Sequence, residues 1–536
     1  MGSIGPGVSA LSAWAWQSIA FQEKRQTMKF RSRVIAALAV ASALALAGCG
    51  AGDSGEEPAG GGGTLTLGMA IAPTTFEAAN FAWSNEAPYA QAVYDTLLKA
   101  SPTNEILPSL ATEWEYDAAK TSLTLTLRDD VEFTDGTAFD ASVAAENILR
   151  FRDGTSQTAA SMANVVDAVA EDDTHLVITL SQPDPGILLN LTKNAGLQES
   201  PEAFDSPDVQ TVPVGSGPYT LDTDATVTGS EYTFVKNPDY WNPDDQHYDK
   251  VVMKVFASGT AILSAIQGGQ LNGSITYDNT TNPQIEAAGY TIAPLELNWE
   301  GMILFDRDGT MNPALGDVRV RQAINYAFDR DALLEALGGG YGTVTGQVFP
   351  TTSGAYDGAL DDYYSYDPEK AKELLAEAGY PDGFTIQSET VAAFQSTLDL
   401  MKSQLADIGI TIEYENVELG DYIANQLVPK YAATWMALQE DPSDWGLIGY
   451  QIAENATWNP FHATTPELED LISQLSVAEG ADADEIAKEI NTYVVEEAWF
   501  APWFRQQTSF AVDAKTTVEV QPGNPYPYLY NFKPAN

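Results

Sequence analysis

The sequence predicts an α/β fold, and three observations predict it. Hydrophobic side chains make up 44% of the 536 residues and include 11 tryptophans, enough for a large core and unlike an acidic disordered chain. Between residues 64 and 255 short stretches alternate apolar and polar side chains, the period of half-buried strands. After Phe305 capped helical stretches alternate with strands, the layout of an α/β half.

The elements follow in order. Residues 64–69 alternate threonine and leucine and read as the first strand. Residues 86–98 fit a helix. Residues 122–127 (SLTLTL) alternate again and run into Arg128-Asp129-Asp130, a hairpin-like turn. Asp135-Gly136 behind Phe133 is a turn dipeptide. Asp140 stands at an N-cap position ahead of a helix over 141–151. Residues 175–180 are another strand. Gly215 and Gly217, in Val214-Gly215-Ser216-Gly217-Pro218-Tyr219, suit positive φ or a close backbone approach. Asp317 caps a helix over 318–328, and Asp329 caps the next, which stops at Gly338. Asp367-Pro368-Glu369 supplies a cap, an N1 proline and a first-turn acid in order, and Gly379 closes that helix. A helix over 397–408 precedes a strand over 410–414.

Ahead of the first strand lies the three-part layout of a secretory signal. A basic segment starts at Met28 (Lys29, Arg31, Arg33), an apolar run covers 34–45, and small residues precede Cys49. The run is shorter than the roughly 20 apolar residues of a membrane span. Leu46-Ala47-Gly48-Cys49 resembles the bacterial lipoprotein processing site, where the thiol is acylated and becomes the new N-terminus. Residues 1–27 are then expected to be a non-native or unstructured extension, with translation starting at Met28. Residues 28–48 are the lipoprotein signal peptide, and 49–63 a flexible tether whose Gly/Ser/Glu composition buries no core. The expected location is extracytoplasmic, anchored to the cell membrane on its periplasmic or cell-wall side. Cys49 is the only cysteine, so no disulfide forms within the chain. The remainder is long enough for about three domains or sub-domains. Lys+Arg is 26 against 75 Asp+Glu, a net charge of -49. Such a surface repels phosphates and excludes nucleic acid as a partner.

Five runs stand in order along the chain. They are Trp114 with Leu127-Arg128-Asp129 and Phe133-Thr134-Asp135-Gly136-Thr137; Val214 to Tyr219; Asn237-Pro238-Asp239-Tyr240-Trp241; Asp317-Val318-Arg319-Val320-Arg321-Gln322-Ala323 with Asp329-Arg330; and Tyr366-Asp367-Pro368 through Ala378-Gly379-Tyr380. Together they resemble the family 5 extracellular solute-binding proteins of ABC importers, the peptide/nickel type. The resemblance implies a two-lobe periplasmic-binding-protein-like fold with a hinge. Lobe I would comprise 64–304 plus 504–536, with a sub-domain insertion at about 105–212, and lobe II would comprise 305–503. It implies a monomeric binder without cofactor that captures a small solute, a peptide or a peptide-like or amphipathic compound, in the interlobe cleft. Partners would be that ligand, an ABC permease with its ATPase subunits, and the membrane through the N-terminal lipid. Two alternatives stay open: a binder of a nickel chelate, and a ligand-sensing receptor without transport.

In peptide-binding relatives an aspartate three residues after the matching tryptophan, and four before the matching proline, anchors the free amine. Trp435 and Pro442 keep that spacing here, but Leu438 takes the aspartate's place. Leucine makes no charge-assisted bond to an ammonium, so weak or no binding of free di- and tripeptides is expected. Glu440, Asp441 or Asp444 would supply an anion from a shifted register. Trp435 and Trp445 are cleft aromatics or core. Trp83 and Tyr89 fall where the family's first lobe-I loop borders the cleft. The candidate ligand-binding set is Trp83, Tyr89, Trp435, Leu438, Asp441, Asp444 and Trp445, with Cys49 for lipidation. Arg321 reads as a structural ion-pair partner, and 237–241 as a turn with a packed aromatic. No metal site is expected, since His175, His247 and His462 lack ligand spacing. No enzyme is expected either: Ser216 sits in Val214-Gly215-Ser216-Gly217, without the first glycine of a nucleophile elbow.

Overall fold

A computed structural model describes residues 62–535. The signal, Cys49 and the tether up to residue 61 lie outside the described residues. Nine strands, numbered in chain order, make the central sheet: β1 (Gly62–Met69), β2 (Tyr219–Leu221), β3 (Glu231–Lys236), β4 (Tyr248–Val255), β5 (Gly273–Thr276), β6 (Thr291–Leu304), β7 (Gly342–Val344), β8 (Ala433–Gln439) and β9 (Phe500–Val512). Their spatial order is β8-β6-β9-β5-β1-β4-β3-β2, with β7 also pairing β9. β1 runs parallel to β4 and β5, and every other pair is antiparallel.

β6 and β9 are long because each serves two cores. They pair from Thr291 opposite Val512 to Ile303 opposite Phe500. One core gathers Leu65, Leu67, Met69, Phe234, Val251 and Met253 with Leu295, Leu297 and Phe510. The other gathers Trp299, Met302 to Phe305, Phe500 and Trp503 with the helices that follow Phe305. The core therefore changes within β6 between Leu297 and Trp299. Two bulges interrupt the ladder there, at Glu296/Asn298 and Glu300/Gly301; bulges bend a strand and increase its twist. Gly301 is needed at the second bulge, where a Cβ would sit 2.3 Å from the Ala501 carbonyl oxygen.

A third core belongs to an antiparallel sheet of Ala111–Tyr116, Ser122–Leu127, His175–Leu180 and Val165–Ala170, covered by the helix Ala141–Asp153. The SLTLTL alternation buries Leu123, Leu125 and Leu127 on one face. Asp140 caps the helix by accepting from the Ser142 and Val143 amides, both at 2.9 Å. The chain does not reverse at 128–130, because the strand ending at Leu127 pairs with 111–116 and 175–180. Reversal comes at Asp135-Gly136, where the Phe133 amide donates to the Thr137 carbonyl (2.8 Å) and Gly136 has φ 85°.

The helix expected over 86–98 is shorter, Ala87–Val93, and Asp95 then turns inward. Its buried carboxylate accepts from Ser216 Oγ (2.9 Å), Tyr240 Oη (2.8 Å) and Trp241 Nε1 (2.8 Å). One carboxyl thus ties Val214–Tyr219 and Asn237–Trp241 together. Gly217 is required by close approach, since a Cβ would lie 2.4 Å from the Val93 carbonyl carbon. Beyond Phe305, Asp317, Asp329 and Asp367 each cap a helix: Val318–Tyr326, Arg330–Gly338 and Pro368–Glu377. Gln395–Ala406 is next, beside the parallel strands Phe384–Thr390 and Ile410–Asn416. Arg321 donates to the Glu497 carboxylate at 3.1 Å and to the Leu315 carbonyl at 2.9 Å.

Candidate ligand-binding cleft

The segment that leaves β8, Glu440 to Trp445, meets the other half of the molecule. A Cβ at Gly186 would come within 3.3 Å of Trp445 Cδ1, and one at Gly523 within 2.8 Å of Pro442 Cδ. Lys120 pairs with Glu479 across the same divide. Asp441 accepts from the Ser443 amide (2.8 Å), and Ser443 in turn caps the short helix Asp444–Leu447. Asp444 is held by the Ser353 hydroxyl and the Ala355 amide (3.2 Å), and burial raises its carboxyl pKa. Asp441, Asp444 and Trp445 are all half-buried here, so the structure brings these three together where the halves face each other.

The aromatic candidates separate. Trp83 is half-buried, with its ring 6.4 Å from Tyr528, which stacks on Tyr530 at 5.3 Å. Its indole Nε1 is buried with no partner among the described residues. Tyr89 is a core residue: fully buried, it packs edge-on to Tyr232 at 5.2 Å and donates to the Ile71 carbonyl at 3.0 Å. Trp435 lies buried against Phe394 at 4.9 Å, and its Nε1 also lacks a partner among the described residues. Leu438 is fully buried in the second core, cross-strand from Trp299. Strand alternation puts it on the opposite side of β8 from Trp435.

The anions near β8 differ in availability. Glu440 is engaged: Arg505 Nε donates to it at 3.0 Å, and Arg505 also donates to the Phe349 carbonyl at 2.7 Å. Burial pushes the Glu440 carboxyl up, and Arg505 pulls it back. Glu300 on β6 is different. Burial alone raises its pKa to about 7, and no ion pair or hydrogen bond with a described residue opposes that. Sequence reasoning passed over Glu300; its signal was a lone acid in an otherwise apolar strand end, Trp299-Glu300-Gly301-Met302-Ile303-Leu304. Among the described residues no three His, Cys, Asp or Glu side chains converge to hold a metal ion. No described helix is long and apolar enough to cross a membrane.

Two cores that share one sheet, with facing surfaces that meet away from it, define a two-lobed binding protein. The family model for bacterial extracellular solute-binding proteins, family 5 Middle, matches residues 105–456. The chain belongs to that family, whose members are substrate-binding proteins of ABC importers. Relatives include the glutathione-binding protein GsiB of Shigella flexneri serotype 5b and of Escherichia coli K12. Each is 27% identical over 442 residues, which cover 77% of this chain and 83% of the relative. Among solved structures, HbpA2 from Haemophilus parasuis superposes with a TM-score of 0.77 at 21% identity, covering 88% of this chain and 100% of that one. DppA from Helicobacter pylori in complex with the peptide STSA gives 0.69 at 21% identity, covering 89% and 98%. These structures share the periplasmic-binding-protein fold.

Proposed function

We propose that this chain is the lipid-anchored, extracytoplasmic substrate-binding subunit of an ABC importer. It closes two lobes over a small solute, a peptide or a peptide-like or amphipathic compound, and delivers it to the permease. The observation that carries this reading is the sharing of β6 and β9 by two cores. The bend would fall at the two bulges, with each core moving as a unit, which is hinge closure. Lobe I is taken as 64–304 plus 504–536, with the insertion at 105–212, and lobe II as 305–503. A ligand that touches both lobes only when they are closed shifts the population towards closure, and the permease reads the closed shape. No bond is made or broken. Cys49 would hold the body at the membrane through the tether.

Glutathione is the first probe, because relatives of this chain carry that name. The test is native mass spectrometry of residues 64–536 purified from growth medium, with small-angle scattering before and after ligand addition. The expected result is a retained small solute and a smaller radius of gyration on binding. A body that retains no solute and never contracts would count against the reading. Cys49→Ala in the full chain is expected to move the protein from the membrane fraction to the soluble one.

A further inference from the structure

Position 438 holds a buried leucine, and Glu440 is occupied by Arg505. An ammonium-bearing ligand would need its anion from another residue. On β6 two polar side chains, Asn298 and Glu300, share one side of the sheet, as alternation requires. They are 4% and 7% exposed, and neither side chain makes a hydrogen bond or ion pair with a described residue. In the β6–β8 register Asn298 lies opposite Gln439, Glu300 opposite Ala437, and Met302 opposite Trp435. On this side of β8 Gln439 is exposed and Ala437 half-buried, whereas Thr434, Met436 and Leu438 on the other side are buried. The side that carries Glu300 therefore opens at its Gln439 end, next to the Glu440 to Trp445 segment that meets lobe I. Directly opposed side chains sit about 5 Å apart and diagonal ones about 7–8 Å. Glu300, Asn298 and the partnerless Trp435 Nε1 thus lie within the span of one small ligand.

We propose that Glu300 anchors the ammonium group of the transported solute, with Asn298 and the Trp435 indole N–H placed for a neighbouring carbonyl or carboxylate oxygen. The proposal rests on the solute-binding reading and narrows its substrate class to amine-bearing, peptide-like or amino-acid-like zwitterions. The physical reason is compensation. A buried carboxylate without a partner is costly, and burial alone holds Glu300 near a pKa of about 7. An ammonium in contact restores the ionised form through a charge-assisted bond. No aspartate is then needed at position 438, because the anion comes from the adjacent strand.

The test uses residues 64–536 and two probe pools, the dialysable fraction of an enzymatic casein hydrolysate and the same fraction after exhaustive amine acetylation. Native mass spectrometry reads what is retained, and calorimetry with a retained peptide gives affinities for wild type and Glu300→Gln. The expected result is retention from the free-amine pool, none from the acetylated pool, and at least about tenfold weaker binding by Glu300→Gln. The acetylated arm uses wild type only, so it stands whether or not the variant folds. Equal retention from both pools, or unchanged affinity in Glu300→Gln, overturns the anchor and leaves the solute-binding reading standing. So does a solute retained from growth medium that carries no amine. A wild-type protein that retains nothing from any source overturns both.

Discussion

Leu438 and Asp95 illustrate how single side chains divide their work here. Leu438 sits in the second core opposite Trp299, with no exposure. Leu438→Asp would place an unpaired carboxylate in that core. The expected cost is about 3–5 kcal/mol in urea unfolding, with no gain in peptide binding. A variant as stable as wild type would mean that position 438 reaches the cleft after all. Asp95 is buried too, but it satisfies three donors on two loops that follow it by more than a hundred residues. Asp95→Ala leaves Ser216, Tyr240 and Trp241 without their acceptor. About 3 kcal/mol or more of stability should be lost in the same measurement.

At the scale of elements, the proposed hinge is the pair β6 and β9. Its bulge at Glu300/Gly301 brings the Gly301 backbone against Ala501 and Pro502, where a Cβ would lie 2.3 Å and 2.6 Å from main-chain atoms. Backbone cannot give way as a side-chain tip can. Gly301→Ala is expected to cost about 2 kcal/mol or more, seen as a lower melting temperature, and to alter ligand affinity because the strain falls on the hinge. The closing surfaces are softer elements. Gly186 has an ordinary backbone conformation, and a Cβ there would meet two side-chain atoms that can shift, Trp445 Cδ1 across the divide and Asp184 Oδ1 on its own side, each at 3.3 Å. Gly186→Leu should therefore leave the melting temperature within a few degrees of wild type while weakening affinity for the retained solute by about tenfold or more. An unchanged affinity would show that Trp445 and Gly186 do not approach in the ligand-bound form.

For the whole molecule the charge balance sets the pH response. Burial raises Glu199, Glu300 and Glu389 to about 7 from the ordinary 4.5. Between those values the folded state keeps protons that the unfolded chain releases, so stability is fullest near pH 4.5 and falls as pH rises towards 7. Self-repulsion at a net charge of -49 works in the same direction. Well below that window the trend reverses, because Asp172, lowered to about 2 chiefly by the Thr174 amide and His175, must be protonated. The urea midpoint is expected to be higher near pH 5 than near pH 7.5 in ligand-free protein, with part of the difference removed by Glu300→Gln. A midpoint that rises over that interval would contradict these assignments.

Much of this molecule was legible in local sequence. The SLTLTL strand, the caps at Asp140, Asp317, Asp329 and Asp367, and the turn at Asp135-Gly136 depend on neighbours within about four residues, and they stand where the pattern put them. The ordered landmarks likewise pointed to the family that the comparison found. Other features depended on residues far apart in the chain. Tyr89 belongs to the core because Tyr232 packs on it, Glu440 is occupied because Arg505 reaches it, and the helix after Glu86 is cut short where Asp95 binds Trp241. Periodicity and capping are short-range, so the sequence by itself determined most of the elements and the class of protein, though not the end of the helix at Val93 or the path of the chain at 128–130. Desolvation and pairing are set by whatever the fold brings alongside, so only the tertiary structure decided which carboxylates are satisfied and left Glu300 as the one on β6 without a partner among the described residues.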